Sequence, residues 1–190
     1  MEQTYITGKI FNRADFMSLP LKNASYEKCL FNGCDFSNSD FRDIKFTECV
    51  FSNCNLSMAK LFKTAFHDVK FEGCKMLGVR FDDCDAFGLI FSFDGCILNQ
   101  SSFYRLRIKK TKFTNCKLIE TDFAACGLSE SVFENCDLSG AIFDGTNLEK
   151  ADFTSAYGYS INPETNKIKK AKFSLTGISG LLDKYEIDIE

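Results

Sequence analysis

Apolar residues return along this chain at every fifth position, and the return is kept for most of its length. From Phe11 the centres run through Phe16, Leu21, Tyr26, Phe31, Phe36, Phe41, Phe46, Phe51, Leu56, Leu61, Phe66, Phe71, Met76 and Phe81 to Phe91, with Ala86 the weakest. Two residues before each centre stands a small or compact residue, as at Cys29, Cys34, Ser39, Ile44, Cys49, Cys54, Ala59 and Thr64. A period of five is neither the 3.6 of an amphipathic helix nor the 2 of an alternating strand. Two inward and three outward residues per unit require the chain to turn a corner in every unit. A fixed short period kept over such a length is the mark of a solenoid.

From Phe93 or Leu98 onward the centres are displaced by two residues, to Phe103, Ile108, Phe113, Leu118, Phe123, Leu128, Phe133, Leu138, Phe143, Leu148 and Phe153. The small position moves with them, through Cys96, Ser101, Thr111, Cys116, Thr121, Cys126, Ser131 and Cys136. The change of register is expected near Ser92 to Gly95, where Asp94-Gly95 is a turn dipeptide suited to a two-residue bulge. A solenoid is thus expected over residues 1–173, irregular in its final coil at 156–173, where Gly158 and Pro163 interrupt the pattern before Ile168 and Phe173 resume it. Ser174 is placed to cap a short helix with Leu175, Ile178 and Leu182 on one stripe, closing the end of the core. The tail Tyr185-Glu186-Ile187-Asp188-Ile189-Glu190 alternates as a half-buried strand does. Residues 174–190 therefore read as a helix-strand cap whose apolar side needs a face to bury against. That face is either the chain's own helix or a second copy across a twofold axis.

Composition adds three things to this pattern. With 190 residues, 45% of them hydrophobic, the chain is long enough for one domain with a real core and short for two. It holds no apolar run of signal-peptide or membrane-spanning length, so it is expected in the cytoplasm, where thiols stay reduced. All ten cysteines fall on the small position of the repeat. The gaps between Cys29 and Cys34, and between Cys49 and Cys54, imitate part of a metal motif. Ligands must converge on a point, however, and these thiols are spread along the rod, so they read as core. The one histidine, His67, follows a centre and points outward without an orienting partner for acid–base work. No phosphate-cradling glycine loop is present, and short-looped flat walls offer no substrate cavity. No enzyme activity, cofactor or metal is expected.

The units Cys136-Asp137-Leu138-Ser139-Gly140 and Ala151-Asp152-Phe153-Thr154-Ser155 resemble the pentapeptide-repeat consensus of small, Asp or Asn, Leu or Phe, Ser or Thr, and any residue. The resemblance covers roughly residues 9–155. It implies an all-β solenoid, a right-handed quadrilateral β-helix with four units per coil. Some seven coils stacked at about 4.8 Å would give a rod about 35 Å long. The terminal layout, and the opening Tyr5-Ile6 through Asp15-Phe16, are similar to those of the quinolone-resistance pentapeptide proteins. That resemblance implies a homodimer joined at its C-terminal ends, with Leu182, Tyr185, Ile187 and Ile189 at the seam. It also implies a DNA mimic that binds DNA gyrase or topoisomerase IV and protects it from fluoroquinolone-type inhibitors.

Charge bears on this directly. The formal net charge of −3 argues against direct binding of nucleic acid and for a protein partner. Locally the picture is sharper. Arg105, Arg107, Lys109, Lys110, Lys112 and Lys117 form a stretch without an acid. Residues 118–153 then hold Glu120, Asp122, Glu130, Glu134, Asp137, Asp144, Glu149 and Asp152 against Lys150 alone, or 8 minus 1, a net −7. At about 4.8 Å per coil this is one charge per ~1.2 Å, against one per ~1.7 Å in duplex DNA. These eight acids are the candidate partner-binding residues. Asp or Asn before a centre also belongs to the repeat itself, and steps of twenty spread the eight over all four sides, with Asp122 and Asp144 on one and Glu134 and Asp152 on another. The alternative function is an interaction scaffold with an unrelated partner, touching it through the outward Phe62, Phe87, Tyr104 and Ile119.

Overall fold

The computed structural model describes residues 4–188. Each five-residue unit forms one side of a four-sided coil, and the chain returns above its own start after twenty residues, as the pairs Phe11↔Phe31 and Phe31↔Phe51 show. Side one carries the short strands β1 (Tyr5–Thr7), β3 (Ser25–Glu27), β5 (Lys45–Thr47) and β7 (Ala65–His67), which form one parallel sheet. Side two carries β2 (Ile10–Asn12), β4 (Leu30–Asn32), β6 (Val50–Ser52), β8 (Val69–Glu72), β9 (Phe91–Asp94), β10 (Lys112–Thr114), β11 (Val132–Glu134), β12 (Asp152–Phe153) and β13 (Lys172–Phe173), a nine-stranded parallel sheet running the length of the rod. Side three is held by single bridges in the series Asp15, Asp35, Asn55, Lys75, Ile97, Lys117, Asp137 and Tyr157. Side four is held in the same way by Asp40 and Lys60 and by Arg80, Ser102, Asp122 and Ile142. The whole is a parallel β-solenoid of about eight turns, one more than the repeat alone led us to expect.

The corner explains the five-residue unit. Two residues after a centre the backbone turns left-handed, at Asn38 (φ 56°), Glu48 (φ 52°), Lys110 (φ 63°) and Ala125 (φ 55°), and at Gly95 (φ 62°) where glycine makes the turn without strain. The Asp or Asn before the centre braces the same turn. Its side-chain oxygen accepts the N–H of the residue two further on, as from Asp35 to Ser37 (2.9 Å) and from Asp40 to Arg42 (2.9 Å).

Inside, the centres stack. Phe11, Phe31, Phe51, Phe71, Phe93, Phe113, Phe133, Phe153 and Phe173 form one continuous column of near-parallel rings, with centroids 4.9, 4.7, 5.2, 5.2, 5.2, 5.0, 4.7 and 5.3 Å apart. This spacing follows from the strand separation. A second column, Phe81, Phe103, Phe123 and Phe143, stands edge-on to the first, with Phe113 and Phe123 inclined at 79°.

The register does change by two residues, since Phe71 pairs with Phe93 rather than with residue 91. The extra residues do not lie at Ser92 to Gly95, where the sequence pointed. Asp85 still donates its N–H to Thr64 in the old register, and Val69 already donates to Ile90 in the new one. The chain therefore bulges at Ala86, Phe87 and Gly88, all exposed, and returns inward at Leu89, which is buried. Ala86 is too small to fill a centre, and looping it out lets Leu89 take that place. Asp94-Gly95 is an ordinary corner.

The C-terminal segment also differs from expectation. Residues 178–185 form two 3-10 turns, Ile178–Leu181 and Asp183–Tyr185, in place of the short helix, and residues 186–188 form no strand. Leu175 is 89% exposed and Ile178 is also exposed, so the stripe they share with Leu182 does not close the core. Leu181 packs against it instead, beside the buried Gly180, whose carbonyl accepts the Ile161 N–H at 2.8 Å. A Cβ at Gly180 would collide with the Tyr159 carbonyl, and this close approach settles the path of the segment. The final coil is irregular on side four and at the side-three centre, where Gly158 (φ 71°) is left-handed and Tyr159 is buried in its place. Register is otherwise kept through the pairs Asp137↔Tyr157, Asn147↔Lys167 and Phe153↔Phe173.

Candidate functional site

The cysteines belong to the wall. All ten are buried free thiols, and Cys34, Cys54, Cys74, Cys96, Cys116 and Cys136 form one column behind side three. Their S–H groups donate to carbonyls of the coil below, Cys54 to Phe31 (3.3 Å), Cys74 to Phe51 (3.3 Å) and Cys136 to Phe113 (3.3 Å). Thr64, Ser101 and Thr146 make the same bond, to Phe41, Met76 and Phe123, each at 2.8 Å. The small position thus takes a compact donor or, as at Ala59, Val79, Ala141 and Ala151, a compact apolar residue. Burial pushes the Cys49 thiol up to about 11 and the Cys126 thiol up to about 12, which keeps both protonated and unreactive at neutral pH. Among the described residues no three histidines, cysteines or carboxylates are arranged to hold a metal. His67 stays on the outer surface, its Nε2 3.3 Å from the Phe87 carbonyl at the bulge.

The eight candidate acids separate into groups. Asp122, Asp137 and Asp152 are turn braces, accepting the N–H groups of Ala124 (2.8 Å), Ser139 (3.1 Å) and Thr154 (3.0 Å). Asp152 also meets Lys172 at 3.3 Å; bonds from Thr154 and Lys172 hold its carboxyl below the usual range. Glu130 pairs with Lys110 at 3.8 Å on side one, which Glu149 shares with Lys150, Lys169 and Lys170. Glu134 is exposed on side two. The acids therefore form no single face. One grouping remains: Asp122 and Asp144 lie on adjacent coils of side four, and Glu120, which accepts a bond from Gln100 at 2.9 Å, stands at the corner leading into it.

Two of the four outward apolar candidates lie on the same side. Phe62 and Tyr104 both follow a side-four centre and are exposed, as is Ile142. The Arg105 guanidinium lies 4.7 Å above the Tyr104 ring. Phe87 is 83% exposed but sits on the bulge of side one, and Ile119 is half-buried on side three. The sequence put Asp122 and Asp144 on one side; the structure adds that Glu120 stands at its corner and that Phe62 and Tyr104 share it.

At the C-terminal end Leu182 is half-buried, while Tyr185 and Ile187 are 52% and 56% exposed; Ile189 lies outside the described residues. Tyr185 is tied back to its own rod, its hydroxyl donating to Glu164 at 3.1 Å, and Lys184 pairs with the same carboxylate. No helix of the described residues is long and apolar enough to cross a membrane.

A four-sided solenoid built from five-residue units, with a filled interior and its variable residues on the outside, defines a repeat protein of the β-helix class. The chain belongs to the pentapeptide-repeat family: the family described as "pentapeptide repeat region" matches residues 24–103, 90–155 and 106–181. Among solved structures it is similar to a trypsin-treated form of QnrB1, a plasmid-mediated fluoroquinolone resistance protein. The two are 19% identical with a TM-score of 0.51, over 99% of this chain and 98% of that one. It is similar also to HetL, a pentapeptide-repeat protein involved in heterocyst differentiation regulation from the cyanobacterium Nostoc sp. strain PCC 7120, at 18% identity and a TM-score of 0.58, over 91% of this chain and 85% of that one. At these identities the likeness is one of fold. No protein with a curated description matches.

Proposed function

We propose that this chain is a non-enzymatic, cytoplasmic binding protein that engages a protein partner through side four. The carrying observation is the meeting there of Glu120, Asp122 and Asp144 with the exposed Phe62, Tyr104 and Ile142. Acids spaced along a rod can stand where a DNA strand would lie, and exposed aromatic residues are the usual anchors of protein interfaces. DNA gyrase or topoisomerase IV is the candidate partner, with protection from fluoroquinolone-type inhibitors as the outcome, as in the resistance function named for QnrB1. The exposed Tyr185 and Ile187 and the half-buried Leu182 fit a homodimer seam at the C-terminal end. The test is gyrase supercoiling under a fluoroquinolone. Relief should rise with added protein and fall in the triple variant Glu120→Gln, Asp122→Asn, Asp144→Asn, in which asparagine keeps the turn-bracing oxygen of Asp122. No relief at any concentration would end the gyrase reading. The scaffold reading, favoured by Phe62 and Tyr104, would then be carried by a partner whose capture depends on Tyr104.

A further inference from the structure

Side one of the C-terminal half has the opposite character. Its outward column Arg107, Gly127, Asn147, Lys167 is fixed by parallel bridges. Long cations thus stand on the first and fourth coils, three steps or about 14 Å apart, and small residues lie on the two coils between. Arg105 and Lys109 extend the first rim, and Gly145 widens the floor, leaving a trough of about 590 Å³. Among the described residues none of Arg105, Arg107, Lys109 and Lys167 has a carboxylate within 4.0 Å, whereas their neighbour Lys110 is paired with Glu130. Cations gathered without counter-charge around a concavity of ligand size repel one another, and an anion relieves that cost.

We propose that this trough binds a small molecule carrying two or more phosphate groups. Four cations in so small a space call for concentrated counter-charge, which a terminal phosphate supplies at close to two charges and an inner one at one. Arginine matches them with paired N–H donors. A long nucleic acid fits less well, because past one edge Glu130 and Glu149 interrupt the lysines Lys150, Lys169 and Lys170, and Asp144 lies around the other. The site adjoins side four at Arg105, but Arg107 and Lys167 belong to side one, so a test on these two is independent of the gyrase reading. Titration calorimetry of the full chain at low salt with inorganic tripolyphosphate should give saturable binding of one ligand per chain. Arg107→Gln and Lys167→Gln should each weaken it roughly tenfold or more, as loss of a charge-assisted contact does, while Lys60→Gln on side four leaves it unchanged. Unaltered melting temperatures of the variants would show that the rod is intact. A nucleoside triphosphate that binds tighter than tripolyphosphate would mark a nucleotide as the source of the phosphates, and equal affinity would mark free polyphosphate. Absence of saturable binding, binding indifferent to Arg107→Gln and Lys167→Gln, or preferential capture of single-stranded DNA over tripolyphosphate would overturn the proposal.

Discussion

The buried residue two before each centre has to be compact enough to stand between stacked rings, and where it is a cysteine, serine or threonine it also gives a hydrogen, in most cases, to a backbone carbonyl of the coil below. Cys136 does both toward Phe113. Cys136→Ser should therefore be tolerated, whereas Cys136→Ala should cost about 1–2 kcal/mol by leaving a buried acceptor unsatisfied, measured by chemical denaturation. Because all ten thiols are buried, the native protein should react with none of them over minutes with an aromatic disulfide reagent at pH 8, and with ten once unfolded. Rapid native reaction would contradict the packing. The Glu164 carboxylate is held below its ordinary value of 4.5 by Lys184 and then Tyr185. A lowered folded-state value means that this contact is complete above the unfolded value and lost as pH falls through the folded one. Protection of residues 178–188 from hydrogen exchange should accordingly fall as pH drops below the ordinary glutamate range. In Glu164→Gln it should be weak at every pH.

At the scale of the coil, what matters is that each corner and each stacked layer repeats its neighbour. Ala125 holds a left-handed conformation that costs a side chain about 1 kcal/mol, so Ala125→Gly should leave stability unchanged or raise it by up to about 1 kcal/mol, although glycine weakens most folds. Phe113 lies mid-column with rings 5.2 Å and 5.0 Å away on either side, and Phe113→Ala should cost about 3–5 kcal/mol. The bulge is the one break in this regularity. Deleting Phe87 and Gly88 restores a twenty-residue step but sets Ala86 on the centre in place of Leu89, so the shortened chain should still unfold cooperatively and lose about 2–4 kcal/mol. Loss of a cooperative transition would mean that the rod cannot form without Leu89 in that place.

For the whole rod, stability accumulates between neighbouring coils, so the ends are where a second molecule gains most. If the seam at Leu182, Tyr185 and Ile187 is real, solution mass should correspond to two chains, and Leu182→Glu should return it to one. The period of five by itself determined the solenoid, its inner and outer residues, and the fate of every cysteine, because a repeat this short leaves only one way to bury two residues in five. It also showed that two residues are inserted. Their place was not legible, since Ala86 and Leu89 compete for one centre and only the space between Phe66 and Ile108 decides between them. The cap was misjudged for a related reason: apolar spacing suggested a helix, while the contact of Gly180 with Tyr159 is a matter of backbone approach that no periodicity records. Charge was read along the chain as one acidic zone following one basic stretch. Coiling regroups residues twenty apart. Steps of twenty did spread the eight acids over the four sides and set Asp122 with Asp144, but only the tertiary structure turned Arg107 and Lys167 into facing rims of one trough and placed Glu120, Asp122 and Asp144 on the side that carries Tyr104.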